Sequence, residues 1–295
     1  MRKITIMAAC LALLSCSRGK KEYDATGMFE ATEVTVSAEQ SGRLLSLSLT
    51  EGDSLTQGQQ VGLVDTVQLS LRALQLGATR MSYANQRPDI EKQIASTRQE
   101  LQKAEMEQCR YETLVKENAA NQKQLDDAVS SVNVLRKQLE AQLSQLGNST
   151  ESLNSQMSAT DIQRLEVLDQ LAKCHITAPI SGVVLDKYAE EGEYAVPGTP
   201  LFKMADVGNM FLRAYVTTAQ LADVRVGQQV KVLADYGGGD RREYEGRVTW
   251  IADRAEFTPK TILTDDERAD LVYAVKIAVR NDGYIKIGMY GEVKF

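Results

Sequence analysis

One histidine, His175, occurs in the 295 residues, and of four cysteines only Cys109 and Cys174 lie beyond the first twenty positions. These scarcities exclude chemistry. His175 stands beside a predicted strand with no other ligand near it in sequence, so a structural role outweighs a catalytic or metal-binding one. No G-x-x-x-x-G-K-[ST] segment occurs, and Gly19-Lys20 sits in a polar stretch, which excludes nucleotide hydrolysis through a phosphate loop. Basic residues do not predominate: 34 Lys and Arg stand against 40 Asp and Glu, a net charge of -6, so no nucleic-acid partner is expected. The acidic run Asp265-Asp266-Glu267 reads as a solvated loop face. After Leu14 no second apolar run is long enough to cross a membrane. The chain therefore reads as a non-enzyme, with no catalytic, cofactor-binding or metal-binding residue.

What is present begins with a leader. Arg2-Lys3, the apolar run Ile4 to Leu14 and then Ser15-Cys16 have the order of a secretory signal, residues 1–15, too short for a stable span. Leu13-Leu14-Ser15-Cys16 resembles the bacterial lipoprotein signal, which implies that Cys16 becomes the acylated first residue. Ser17 to Asp24 is then a polar tether, within a segment 16–36 of anchor, tether and first strand. The protein is expected on the periplasmic side of the inner membrane, held by that anchor.

One pattern is written twice, about 140 residues apart. Ser41, Gly42, Leu44, Leu45, Glu51, Gly52, Asp53, Gly58 and Val61 recur as Ser181, Gly182, Val184, Leu185, Glu191, Gly192, Glu193, Gly198 and Leu201. Each copy reads as short strands hinged on glycine, and Leu45, Leu47 and Leu49 alternate with Ser46 and Ser48 as in a half-buried strand. Neither copy can bury a core alone. The halves, 37–66 and 174–205, are expected to close into one small β-sandwich, with the intervening chain leaving and returning at nearly one point.

That interval, 67–173, has the period of a helical hairpin. Ile90, Ile94, Thr97, Leu101, Ala104, Gln108, Tyr111 and Val115 form an outbound seam, and Leu125, Ala128, Val132, Leu135, Leu139, Gln142 and Leu146 an inbound one. Asn118 can end the first arm in a left-handed conformation and Asn121 can cap the second, placing the tip near 118–121. Residues whose numbers sum to about 239 then lie side by side. Val67, Leu71, Leu74, Ala78 and Met81 form an earlier seam, separated by a slip across Asn85 to Pro88. At the same height Gly147-Asn148-Ser149-Thr150 predicts a matching break in the other arm. Cys109 and Cys174 fall about 60 Å apart on this scheme, beyond any disulfide, and both read as small core residues.

From 206 to 295 the period returns to two. Phe211 to Val216, Val230 to Ala234, Tyr244 to Ile251, Tyr273 to Val279 and Gly291 to Phe295 read as strands of a small β-barrel, with a short helix from Thr218 to Val224. Gly237 to Asp240 is a turn and Phe257 to Asp270 a long loop. The fold class is α+β multidomain: a split lipoyl-like sandwich, a coiled-coil hairpin and a barrel.

In this arrangement the chain resembles the HlyD-type periplasmic adaptors, or membrane fusion proteins, of tripartite exporters. Ile176-Thr177-Ala178-Pro179-Ile180-Ser181-Gly182-Val183-Val184 is similar to that family's second lipoyl half, Gly227-Gln228-Gln229-Val230 to a barrel turn, and Ile287-Gly288-Met289-Tyr290-Gly291 to its closing strand. Phe257-Thr258-Pro259-Lys260, Arg268 and Leu271-Val272-Tyr273 resemble the subset that serves ABC exporters; an RND-type partner is the alternative. The resemblance implies no cofactor, a ring of six copies, an inner-membrane transporter as one partner and a TolC-like outer-membrane channel as the other. At the tip it implies docking through Arg110, Leu114 and position 121, where the family commonly has serine and this chain Asn121. Leu114 lies outside the Tyr111 and Val115 seam, free to face the channel. Neither sandwich half shows the exposed lysine of a lipoyl or biotinyl carrier. A coiled-coil surface lipoprotein without a transport role is the reading from another class, and the split β-domain disfavours it.

Overall fold

Four glycines carry the sequence repeat into space. Gly52 and Gly58 have φ of 92° and 81°, and Gly192 and Gly198, at the same offset, 93° and 90°. A side chain would strain each of these turns. The turns then lock the two halves together reciprocally. Gly52 N–H donates to Val184 O while Val184 N–H donates to Asp53 O; in the other half Gly192 N–H donates to Leu44 O and Leu44 N–H to Glu193 O. Ala38 and Ala178 make the corresponding pairs with Gly198 and Thr199 and with Gly58 and Gln59. The halves close on each other through a pseudo-two-fold set of backbone hydrogen bonds.

The computed structural model describes residues 23–235, 241–257 and 271–295. The leader with Cys16, the turn Gly237 to Asp240 and the loop after Phe257 lie outside them. Two compact units divide the chain: one contains 44–62 and 176–295 with the segment ending at Ala38, the other 39–43 and 63–175.

In the first unit, β1 (Ala25–Ser37), β8 (Pro200–Thr217), β9 (Gln229–Asp235), β10 (Arg241–Ile251), β12 (Leu271–Arg280) and β13 (Tyr290–Lys294) form the predicted barrel. Their order is β12, β10, β9, β13, β1, β8, and pairing of β8 with β12 closes the ring. Phe29, Met210, Leu212, Val232, Ile277 and Val293 fill its core, each on the inward phase of its strand. The helix α4 (Thr218–Leu221) starts at Thr217, whose side chain accepts from Gln220 N–H in a capping box. β11 (Glu256–Phe257) adds to β12, and β6 (Gly182–Lys187) and β3 (Ser54–Leu55) continue the sheet beyond β8. The predicted alternation from Leu45 to Leu49 holds only in part. Leu47 and Leu49 are buried, but Leu45 faces out and Leu44 turns in, because both backbone groups of Leu44 are engaged by the Gly192 turn. β4 (Gln60–Val64), β2 (Gly42–Leu47), β5 (His175–Thr177) and β7 (Tyr194–Ala195) make a four-stranded sheet in the order β5, β4, β2, β7.

The second unit is the hairpin. α1 (Val67–Asn85) and α2 (Ile90–Lys116) run outward and α3 (Gln122–Ala172) returns as one helix of 51 residues, about 76 Å at 1.5 Å per residue. Its root is tied where Val64 N–H donates to Cys174 O and Asp65 N–H to Arg43 O. Every residue of the predicted α2 and α3 seams is buried or half-buried, with Ile94, Thr97 and Val132 the most enclosed. Cross-arm ion pairs Arg80–Asp161 at 2.8 Å and Arg136–Glu105 at 2.9 Å set the register, and the numbers of both pairs sum to 241.

Three expectations for this unit fail. The outbound arm does break, with Asp89 capping α2 after Pro88, but α3 has no break at Gly147 to Thr150. One glycine within a long helix costs only about 1 kcal/mol, and Thr150 Oγ1 donates back to Leu146 O at 2.9 Å instead of capping a new helix. The α1 seam is also wrong. Ala73 is buried and Leu69, Leu76, Arg80 and Tyr83 half-buried, whereas Val67, Leu71, Leu74, Ala78 and Met81 are exposed. Both sets have heptad spacing, so periodicity could not choose between them. Lastly, Cys109 and Cys174 are both free, but Cys109 is exposed; only Cys174 is a core residue. Burial, with Asp65 nearby, raises the Cys174 thiol above its ordinary pKa.

Candidate functional site at the hairpin tip

The reversal between α2 and α3 is made by backbone geometry that the two asparagines permit. Glu117 ends α2, and Asn118 follows at φ 58°, the one non-glycine residue with positive φ among those described. Its N–H donates to Val115 O at 3.0 Å and that of Ala119 to Leu114 O at 2.8 Å, the paired bonds of a Schellman motif. Two residues later Asn121 caps α3: its Oδ1 accepts from Gln124 N–H at 2.9 Å, while Gln124 Oε1 accepts from Asn121 N–H at 3.2 Å. This capping box was readable in the Asn121-x-x-Gln124 spacing, although the glutamine was missed. Two carbonyls at the end of α2, those of Leu114 and Val115, and the Gln124 amide at the start of α3 thus find partners within the tip itself.

Arg110 and Leu114 lie one turn apart on α2, and Asn121 lies just beyond the apex. Arg110 is exposed and 3.8 Å from Glu107. Leu114 is half-buried, not fully free, since its wheel position falls at the margin of the seam and its carbonyl is held by Ala119. Asn121 is exposed but its side chain is occupied by the cap. A groove of about 500 Å³ runs between the arms below the tip, over Ala104, Tyr111 and Ala128, with Glu100, Glu107, Asp127 and Lys103 among its walls. Arg110 touches that wall through its pair with Glu107, but neither Arg110 nor Leu114 lines the groove. Sequence reading did not find the groove, because it exists only where two arms meet. The residues present form a shaped, largely polar surface on a rigid support, with a half-buried leucine in it.

Residues 32–206 match the family model described as the barrel-sandwich hybrid domain of RND membrane fusion proteins. The chain belongs to the membrane fusion protein family. Among curated relatives of this membrane fusion protein are a UPF0194 membrane protein of Acidithiobacillus ferridurans, 26% identical across 97% of this chain and 91% of that one, and another of Yersinia pseudotuberculosis, 27% identical across 100% and 98%. Solved structures with the same fold include MacA from Actinobacillus actinomycetemcomitans, TM-score 0.56 and 19% identity, covering 91% of this chain and 76% of that one. A MacA-MexA chimera carrying the Pseudomonas aeruginosa MexA α-hairpin domain gives 0.51 and 20%, covering 91% and 79%. Among the described residues the longest element of this membrane fusion protein is the 51-residue return helix of the inserted hairpin. Among the described residues no helix is both long and apolar enough to cross a membrane.

Proposed function

We propose that the protein is a non-enzymatic periplasmic adaptor of a tripartite efflux or secretion system, anchored through Cys16 to the inner membrane. The observation that carries this reading is the membrane fusion domain match over 32–206 combined with a self-capped hairpin tip that needs no partner to fold. A long hairpin suits reach, and a tip capped by its own residues can dock and release without local unfolding. The inner-membrane partner is an ABC-type exporter, on the resemblance of the segment from Phe257 to Tyr273; the outer partner is a TolC-like channel, met by Arg110, Leu114 and Asn121. Six copies would ring the transporter and line a sealed route. An RND pump is the second reading for the inner partner, favoured by the description of the matched domain.

Leu114→Asp tests the docking site. A carboxylate there would be desolvated at a close helical contact, a penalty of several kcal/mol by order of magnitude (~2–5), enough to abolish a weak contact. Export and crosslinking to the outer channel should be lost while transporter copurification and thermal unfolding stay as in wild type. Intact export with that variant refutes the tip assignment; loss of hairpin helicity instead assigns Leu114 to packing. For the anchor, fatty-acid labelling should mark wild type and not Cys16→Ala, and equal labelling of the two rejects it.

A further inference from the structure

The six barrel strands share one end that is free of the sandwich. Ala25 lies opposite Val293, Thr217 opposite Val272 and Gln229 opposite Arg247, so β1, β9 and β12 begin at that end and β8, β10 and β13 finish there. At the other end β1 and β8 run on together, Thr32 to Ser37 beside Pro200 to Asp206, and β6 joins β8 there.

Three large apolar side chains stand out at the free end. Trp250, one residue before β10 finishes, is 42% exposed; Leu271, the first residue of β12, 53%; and Val226, in the turn that leads into β9, 64%. They lie along one arc of the rim, because β9, β10 and β12 are neighbours in the sheet and the turn is tied to β10. Gly227 N–H donates to Val248 O at 2.8 Å, and Arg247 Nε donates to Gly227 O at 3.1 Å. None of the three belongs to the barrel core.

Charge at this end runs against the balance of the chain. Asp and Glu exceed Lys and Arg overall, 40 to 34, yet Arg225, Arg247 and Arg254 are exposed near the arc against Asp223 and Asp253. Glu256 is taken up by Arg213 at 2.8 Å. The segment Ser17 to Asp24 leads into β1 at the same end and adds Arg18, Lys20 and Lys21 against Glu22 and Asp24, and the Asp24 carboxylate accepts from Phe295 N–H. Seven residue steps separate Cys16 from Tyr23, at most about 25 Å of extended chain. A protein acylated at Cys16 must keep this end of the barrel within that distance of the lipid.

We propose that the free end of the barrel seats on the periplasmic surface of the inner membrane, with Trp250, Val226 and Leu271 in the headgroup layer and the arginines on anionic lipid phosphates. The choice of a lipid surface as occupant rests on the Cys16 anchor. An acyl anchor by itself leaves the barrel free to turn on its tether. An indole at headgroup depth, apolar side chains beside it and arginines reaching back to phosphate together fix one orientation. Seated this way, β1 and β8 lead away from the membrane toward the sandwich.

Trp250 is the single tryptophan of the chain, so its fluorescence reads the arc alone. Full-length protein purified from membranes is reconstituted in vesicles of phosphatidylethanolamine and phosphatidylglycerol, with and without bromine on the lipid acyl chains. Brominated lipid should quench Trp250 at least about twofold, and a water-soluble quencher should lose access to it. Val226→Glu combined with Leu271→Glu leaves the reporter in place and should reverse both effects, with circular dichroism unchanged because both side chains are exposed. Flotation and fatty-acid labelling report the anchor separately. Acylated protein that floats with the vesicles while Trp250 stays open to the water-soluble quencher overturns the seat and leaves the anchor. Quenching by brominated lipid in protein that carries no fatty acid upholds the seat and removes the anchor. Trp250 shielded from both quenchers shows the arc covered by the chain itself, and shielding that arises only when an inner-membrane transporter is added gives the arc to a protein partner; either result overturns the seat.

Discussion

Asn118 and Asn121 do different work three residues apart, and both roles follow from a short polar side chain. Asn118 tolerates φ of 58° where a bulkier residue would strain, and Asn121 accepts from Gln124 N–H. Asp89 caps α2 in a comparable way but with a charge. Its carboxylate takes the Lys92 ammonium at 2.8 Å and the Lys92 N–H at 3.2 Å, and these hold its pKa below the ordinary 3.8. A depressed folded-state value means that the cap's contribution is fully present above pH 3.8 and is lost as pH falls through the lower folded value. Exchange of the Lys92 amide, taken relative to its intrinsic rate at the same pH, should therefore accelerate on acidification below that point. In Asp89→Asn, which caps without ionising, the acceleration should be absent; an identical pH response in the two proteins would show that the carboxylate is not responsible.

The helices show how one element absorbs what breaks its neighbour. Pro88 cannot continue the outbound ladder, so α1 and α2 are separate, although the covered positions, ending at Tyr83 and resuming at Ile90, keep heptad spacing across the gap. α3 passes that interruption without ending. Its buried positions run Gln142, Leu146, Thr150, Leu153, two steps of four and then one of three, which is a stutter in the heptad. The sequence signal at Gly147 was thus real in place and wrong in kind. An added Cβ at Gly147 would meet nothing within 4 Å. Gly147→Ala should stabilise the hairpin by about 0.5–1 kcal/mol, seen as a higher melting temperature by circular dichroism. Destabilisation by that change would restore the predicted break.

For the whole molecule, the decisive events are closures between distant segments. Gly182 lies where β6 crosses β8 so closely that a Cβ would come within 2.2 Å of Ala205 O and 2.7 Å of its carbonyl carbon. Both neighbours are backbone, so neither can rotate aside. Gly182→Ala should cost at least about 3 kcal/mol, the upper end for overpacking, and lower the unfolding midpoint in denaturant. Gly192, in the turn of the same half, has open space around it, and its constraint is the backbone angle alone. A Gly182→Ala protein as stable as wild type would mean that β6 and β8 can separate without loss.

Local interactions are therefore legible in the residues themselves. Glycine turns, asparagine caps, the barrel strands and the α2 and α3 seams each depend on residues within about one turn or one strand of each other, and their spacing carries the signal. The repeat at Gly52 and Gly192 even announced that two halves would pair. What the sequence left open were choices among locally equivalent answers. Val67, Leu71 and Leu74 have the same spacing as Leu69, Ala73 and Leu76, and only the position of α3 decides which set is covered. The inward turn of Leu44 in place of Leu45 depends on a hydrogen bond from Gly192, nearly 150 residues away. The groove beside Arg110 and Leu114 belongs to neither arm alone. In each case the deciding energy is burial or hydrogen bonding against a remote segment, and that segment's position is a property of the tertiary structure.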